Sequence, residues 1–400
     1  LAGWAAHARG EFSRVAKKVM MKANELLPFK SGGVTPRAIV TVDPRIVASV
    51  QPYIYPLSHA LKHDITGVPF EHAGITITLV FAYGRSAEEL SSLFVETQNA
   101  PGWVMWIAGD DSMIHTPDGE WIEGDFGGYD STELAAAHRA QYAAYRKFGI
   151  PPYVIDVFET ERLKPFVAGW RGRRRASPEG SIRGPYRGRV TGHADTTVGN
   201  SLVHAIAVGS ALGETASAVL ATRSSAALTS VLAGRYGLEF NAFYTRHPTF
   251  LKGWFVRDVW MPLPSAVIKL GKVMTDPKVM YPDVPDSLAC AAKGMALSPG
   301  PIPAEYPILG PFLQALLRLS SSCAAVETPY ESHRRVATTT LHTVDRDVAL
   351  EMIEERYGIT RIDVEALEAE YASIRDLPVL VCNPSVNRMA EVDYGHFCDA

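Results

Sequence analysis

Apolar and polar positions change period several times along the chain, and each change marks an element. Phe12 to Leu27 reads as a basic helix, and Ser31-Gly-Gly with Pro36 reads as a loop before the apolar run Ala38 to Val42. A helical pattern then follows Asp43-Pro44 as far as Lys62. Residues 74–82 are rich in β-branched and apolar types, and Ser86-Ala-Glu-Glu-Leu opens a capped helix that ends near Asn99. Three short strands come next, separated by tight turns. Trp103-Val-Met-Trp-Ile-Ala leads to Gly109-Asp-Asp, Ser112-Met-Ile-His leads to Pro117-Asp-Gly, and Glu120-Trp-Ile-Glu-Gly-Asp-Phe closes a three-stranded meander.

Beyond the meander the period returns to that of a helix. Leu134, His138, Tyr142 and Tyr145 lie three or four apart between Ser131 and Phe148, and Gly149 and Pro151 end the segment. A basic, glycine-punctuated stretch precedes a helix from about Thr197, a second from Glu214 to Arg235, and a strand from Leu238 to Tyr244. From Met261 prolines dominate the loops. The rest is mostly helical, with Leu309, Phe312, Leu313, Leu316 and Leu317 on one stripe and acid-rich amphipathic segments at Val344 to Tyr357 and Asp363 to Ile374. No internal repeat is evident.

Composition adds a globular class and removes several others. Of 400 residues, 47% are hydrophobic and 20% charged, enough for two or three cores and unlike disordered or fibrous chains. Apolar stretches are short or interrupted by His204, Glu214 and Arg223, so no membrane helix is expected. The first residues lack the pattern of a signal peptide, and a start at Leu1 suggests a piece of something longer. Four cysteines without a C-x-x-C spacing favour a reducing compartment over a disulfide framework or a zinc ribbon. The net charge of −4 hides an uneven distribution. Nine Lys/Arg against Glu179 lie between Arg162 and Arg189, and nine against three acids lie in residues 1–62.

The meander carries the chemistry. Gly109-Asp110-Asp111 sits at a turn, and the third strand returns Asp125 alongside it at a strand spacing of about 4.8 Å. Converging carboxylates repel one another, and hard divalent cations such as Mg²⁺ or Mn²⁺ are their natural compensation. The plainer reading of Asp110 and Asp111 is a polar turn. Asp125-Phe-Gly-Gly-Tyr-Asp130 places a second acid at a strand-to-helix junction, where Asp130-Ser-Thr-Glu133 also reads as an N-cap box. Thr191 to Asn200 is a glycine-started loop entering a helix, which displays Thr196 and Asn200 on one face. His59-x3-His63 has zinc-ligand spacing on a helix but no third ligand nearby.

These residues resemble a family, the viral RNA-dependent RNA polymerases. Asp125-x4-Asp130 is similar to that family's motif A, Gly192 to Asn200 to motif B and Gly109-Asp110-Asp111 to motif C. The triplet precedes motif A, as in the permuted polymerases of permutotetraviruses and, more distantly, birnaviruses. Thr35 to Ile39 with Asp43-Pro44-Arg45 resembles motif F, Tyr236-Gly237-Leu238 motif D and Phe250 to Gly253 motif E, so the likeness covers residues 30 to 255.

The resemblance implies an α+β right-hand fold with fingers, a palm of antiparallel sheet with helices on one face, and a mostly helical thumb. It divides the chain into fingers at 1–100, palm motifs C and A at 101–150, and a basic fingers insertion at 151–190. Palm motifs B, D and E follow at 191–260, and the thumb at 261–400. It implies template-directed addition of ribonucleoside triphosphates to RNA, in a viral replication complex of the host cytoplasm. Asp110, Asp111 and Asp125 would hold two Mg²⁺ or Mn²⁺ ions. Asp130 and Asn200, supported by Thr196 and the Gly192 loop, would read the ribose 2′-hydroxyl. Arg37, with Lys30 and Arg45, would contact the triphosphate, and Lys252 the primer end. Arg173, Arg174 and Arg175 would track template phosphates, although such a run also reads as a nuclear-localisation signal. Motif D lacks the family's lysine, which leaves Arg246 or His247 as the general acid, of which only histidine titrates near neutrality. A reverse transcriptase would share the carboxylates without the Asp130 and Asn200 pairing, and a non-catalytic RNA-binding protein with this fold is the rival from another class.

Overall fold

A computed structural model describes residues 17–21, 38–133, 135–170, 180–185, 188–273, 287–322, 343–377 and 381–394. Lys30, Arg37, Arg173, Arg174 and Arg175 lie outside the described residues. The chain is a mixed α+β protein that divides into two compact units, with the later boundary between Leu251 and Lys252.

In the first unit the strands are β1 (Lys17–Met21), β2 (Ala38–Thr41), β3 (Pro69–His72), β4 (Ile75–Phe81), β5 (Trp103–Ala108), β6 (Asp111–His115), β7 (Trp121–Phe126), β8 (Phe166–Trp170), β9 (Gly180–Gly184), β10 (Phe240–Thr245) and β11 (Thr249–Phe250). Six of them form a sheet in the order β10-β7-β6-β5-β4-β3, with the expected β5-β6-β7 meander at its centre. One pair departs from an all-antiparallel palm. β4 and β5 run parallel, because the Ala87–Thr97 helix between them supplies a crossover. Its Ser86 and Glu89 form the reciprocal cap read from the sequence. No break therefore falls at residue 100, since β3 and β4 extend the same sheet. A smaller sheet runs β2-β1-β8-β9, and β1 is a strand where the sequence pattern suggested a helix. Pairing on both sides of β1 outweighs its local helix propensity.

The helix expected in two pieces is a single element, Thr196–Thr222, of 27 residues. Gly213 and Glu214 do not end it. By length and composition alone it could cross a membrane, but 44% of its most apolar window is buried within the protein. Val203, Ala207, Val208, Ala211 and Leu212 pack on Ile77, Met105, Ile107, Ile114 and Ile122 of the sheet. Burial of the valine and leucine side chains stabilises by about 1.5–3 kcal/mol each, which is where its apolar length is used. By contrast, the helix expected from Ser131 is interrupted: a single turn at Tyr129–Thr132 precedes Ala135–Lys147.

The second unit holds 85–94 and the described residues from 252 onward. A hairpin of β12 (Gly253–Val256) and β13 (Val259–Pro262) packs with helices that follow it, including Leu309–Leu319, whose Leu309, Leu313 and Leu316 are buried as the apolar stripe required. Inside, Trp254 Nε1 donates to the Tyr306 hydroxyl at 2.8 Å, and that hydroxyl donates to the Pro262 carbonyl at 2.7 Å. Asp345 and Thr360 cap the Arg346–Tyr357 and Arg361–Ser373 helices.

The pairing of β10 with β7 depends on a close approach at Gly124, where an added Cβ would come within 2.2 Å of the Phe240 ring. Gly124→Val is therefore expected to push β10 off the sheet and to destabilise the first unit by about 1–3 kcal/mol. Urea unfolding followed by tryptophan fluorescence checks this.

Candidate functional site

The β5-β6 turn is a two-residue hairpin, with Ala108 opposite Asp111 and Gly109-Asp110 between them. Gly109 has φ +69°, a conformation that tight hairpins reserve for glycine. Register then sets the acids. Asp111 lies opposite Asp125, and Asp125 opposite Asn241 on β10, so the three form a row across the sheet. Directly opposed residues share a face. Ser112, Gly124 and Phe126 alternate to the other face, which is covered by the Thr196–Thr222 helix. Asp110 and Asp111 are half-buried and Asp125 and Asn241 are exposed.

That helix reaches the turn with polar side chains. The Gly109 N–H donates to Ser201 Oγ at 3.0 Å, and His204 Nδ1 lies 3.0 Å from the Gly109 carbonyl while its Nε2 lies 3.0 Å from Ser112 Oγ. A carbonyl can only accept, so Nδ1 carries the proton and Nε2 accepts from the serine. His204 is fully buried, and burial pushes its pKa down to about 4. The imidazole is neutral.

One turn earlier, Asn200 Nδ2 donates to Asp130 Oδ1 at 2.8 Å, joining residues 70 apart in sequence. Tyr129 secures the junction by donating its hydroxyl to the Asn200 carbonyl at 3.0 Å. Burial, with the Glu133 and Asp110 carboxylates adding, keeps that phenol protonated. Asn200 Oδ1 is buried and has no hydrogen-bond partner among the described residues. The N-cap box read at Asp130-Ser-Thr-Glu133 does not form, because Glu133 is buried against Arg189 instead.

Arg189 lies at the centre of a buried polar cluster. It pairs with Glu133, donates Nη2 to Gln141 Oε1 at 2.7 Å, and has Nη1 3.5 Å from Asp195 Oδ2. Asp195 Oδ2 also accepts from Gln141 Nε2 at 2.7 Å and from the Tyr145 hydroxyl at 3.2 Å. Burial opposes the guanidinium charge, yet Glu133 and Asp195 hold Arg189 protonated. Arg162 and Lys164 are buried as well, and Lys164 pairs with Glu161. Arg162, Lys164 and Arg189 are thus interior, and of the run from Trp170 to Arg189 that the sequence pattern reads as phosphate-binding only Arg189 is among them.

The other expected residues divide. Gly192 donates its N–H to the Val40 carbonyl at 2.8 Å, and the Thr191 hydroxyl accepts from Val40 N at 3.2 Å, so the loop is tied to β2. Thr196 directs its hydroxyl at the Val190, Thr191 and His193 carbonyls of that loop, and supports it rather than the Asp130–Asn200 pair. Arg45 forms a forked pair with Asp43, whose carboxyl it holds below the usual range, at the start of the Pro44–Ala60 helix. Lys252, at φ +61°, belongs to the second unit and accepts from Leu263 N. Arg246 and His247 follow β10. β10 runs from Asn241 opposite Asp125 to Thr245 opposite Trp121, so both follow the strand's far end, more than about 13 Å of strand from the acid row. The chain then turns back, and Thr249 N donates to Glu123 Oε2 at 2.7 Å on the strand that carries Asp125. Ser201 and His204 were missed, although a histidine in an otherwise apolar helix is itself a sign of a buried polar partner.

The donor chemistry suits a hard divalent cation, with carboxylate oxygens from the turn and from two adjacent strands. Among the described residues no three Asp, Glu, His or Cys side chains are already gathered around one point. The His59 and His63 rings lie with centroids 4.3 Å apart and planes tilted by 37°. No protein-family model matches this chain, and a search of curated proteins finds no match.

The depressed pKa of His204 gives a pH signature with a definite sign. The unfolded imidazole takes up a proton near pH 6.5 and the folded one only near 4, so its contribution is complete above 6.5 and is lost as pH falls towards 4. The loss is about 1.4 kcal/mol per pH unit at most. Urea unfolding between pH 7 and 4.5 should show a shallower decline for His204→Gln than for wild type.

Proposed function

We propose that the chain is an RNA-directed RNA polymerase with its palm motifs permuted, adding ribonucleoside triphosphates to RNA on a template during replication of a viral genome in the host cytoplasm. The observation that carries this reading is the Asn200–Asp130 hydrogen bond, which leaves Asn200 Oδ1 buried and without a partner among the described residues, one residue before the serine that holds the carboxylate turn. A buried acceptor without a donor costs about 1–3 kcal/mol, and a ribose 2′-hydroxyl can supply that donor. A deoxyribose cannot.

In this reading Asp110, Asp111 and Asp125 hold Mg²⁺ or Mn²⁺, which when bound supplies the positive charge that stabilises the attacking and leaving oxygens of phosphoryl transfer. Asp130 and Asn200 select the ribose, and the Gly192 loop, braced by Thr196 and β2, fixes where that selection occurs. Arg37, Lys30 and Arg45 contact the triphosphate, Arg173, Arg174 and Arg175 the template phosphates, and Lys252 the primer end. The right-hand arrangement makes the first unit the palm with part of the fingers, and the helical second unit the thumb.

Extension of a short RNA hairpin with labelled nucleotides in Mg²⁺ and Mn²⁺ tests the reading. Wild type should incorporate ribonucleotides, Asp125→Ala should abolish incorporation, and Asn200→Ala should lower the preference for ribo- over deoxynucleotides about tenfold, equivalent to about 1.4 kcal/mol. Equal use of deoxynucleotides by wild type would point to a reverse transcriptase, and salt-dependent RNA binding without extension to a binding protein.

A further inference from the structure

We infer that Ser201 and His204 are positioning residues that fix the Gly109-Asp110-Asp111 turn, so that its carboxylates are presented beside Asp125. The catalytic consequence rests on the polymerase reading, whereas the positioning of the carboxylates does not. Both hydrogen-bonding groups of Gly109 are held by the helix, its N–H by Ser201 and its carbonyl by His204, each at 3.0 Å. The Gly109 carbonyl belongs to the peptide that carries the Asp110 nitrogen. Its bond to His204 therefore sets the plane from which Asp110 projects.

The second bond of His204 acts on Asp111. Ser112 faces the helix and Asp111 the opposite side of β6, so holding Ser112 Oγ at 3.0 Å sets the rotation of the strand and with it the direction of Asp111. A two-residue hairpin needs no help from another element to close. Three polar contacts to this one, made by two fully buried side chains in the first third of a helix whose following turns pack apolar residues on the sheet, are more than closure requires. Asn200 is the residue before Ser201, so the turn of helix that meets Asp130 also grips the carboxylate hairpin.

The test measures Mn²⁺ affinity by electron paramagnetic resonance, and kcat and nucleotide KM in the hairpin extension assay, for wild type, Ser201→Ala, Ser112→Ala, His204→Leu and His204→Asn. His204→Leu and Ser201→Ala should weaken Mn²⁺ binding several-fold and lower kcat about tenfold, with KM and RNA affinity within about twofold of wild type. His204→Asn, whose side-chain amide can still donate to the Gly109 carbonyl, should recover most of the loss. Wild-type Mn²⁺ affinity in both His204→Leu and Ser201→Ala overturns the inference. So does a His204→Asn variant as impaired as His204→Leu at equal unfolding midpoints. If His204→Leu does not fold, Ser201→Ala and Ser112→Ala decide by the same measurements. Should no protein extend RNA while the Mn²⁺ pattern holds, the positioning stands and the polymerase reading falls.

Discussion

The arrangement depends on one buried contact, the grip of the Thr196–Thr222 helix on the Gly109 turn. A neutral imidazole with both nitrogens engaged and a serine beside it replace the water that would otherwise solvate the tip of a hairpin. Such groups tolerate little displacement, because a buried donor or acceptor that loses its partner costs more than the bond itself contributed. The apolar face of the same helix lies on the sheet, so hydrophobic packing sets the distance at which the polar contacts are made. Packing and polar pairing thus act on the same strands. The carboxylates inherit their positions from both.

A second buried centre, Arg189, performs comparable work at the junction between sheet and helix. Its guanidinium draws Glu133 from the short segment after β7, Gln141 from the following helix and Asp195 from the start of the long helix into one cluster. Removing a single partner from such a group leaves a buried charge uncompensated. The two centres divide the acids of the region. Glu133 and Asp195 neutralise a cation inside the protein, while Asp111, Asp125 and Asp110 stand nearer the surface at one end of the sheet.

This division explains why local charge is a poor guide here. The stretch from Arg162 to Arg189 is strongly basic, yet three of its cations are interior. The acids at the β5-β6 turn could pass for an ordinary polar hairpin, yet their register sets Asp111 against Asp125. Ribose reading, cation holding and template contact, as proposed, would each draw on a different set of these charges.

The sequence by itself determined the meander, because Gly109-Asp110 and Pro117-Asp118-Gly119 are turn residues between apolar runs of strand length, and turn chemistry is local. It likewise determined the capped helix after Ser86, the apolar stripe of Leu309–Leu319 and the helical face shared by Thr196 and Asn200. Tertiary structure decided whatever depends on distant partners. It made a strand of Lys17–Met21 through pairing on both sides, carried the long helix past Gly213 on the strength of its packing, and joined β4 to the sheet across a parallel pair. It brought Asn200 to Asp130, moved Arg246 and His247 to the far end of β10, and placed His204 under the carboxylate turn. Periodicity and turn residues act over a few positions, whereas register, burial and the pairing of polar groups are set only when the chain has closed on itself.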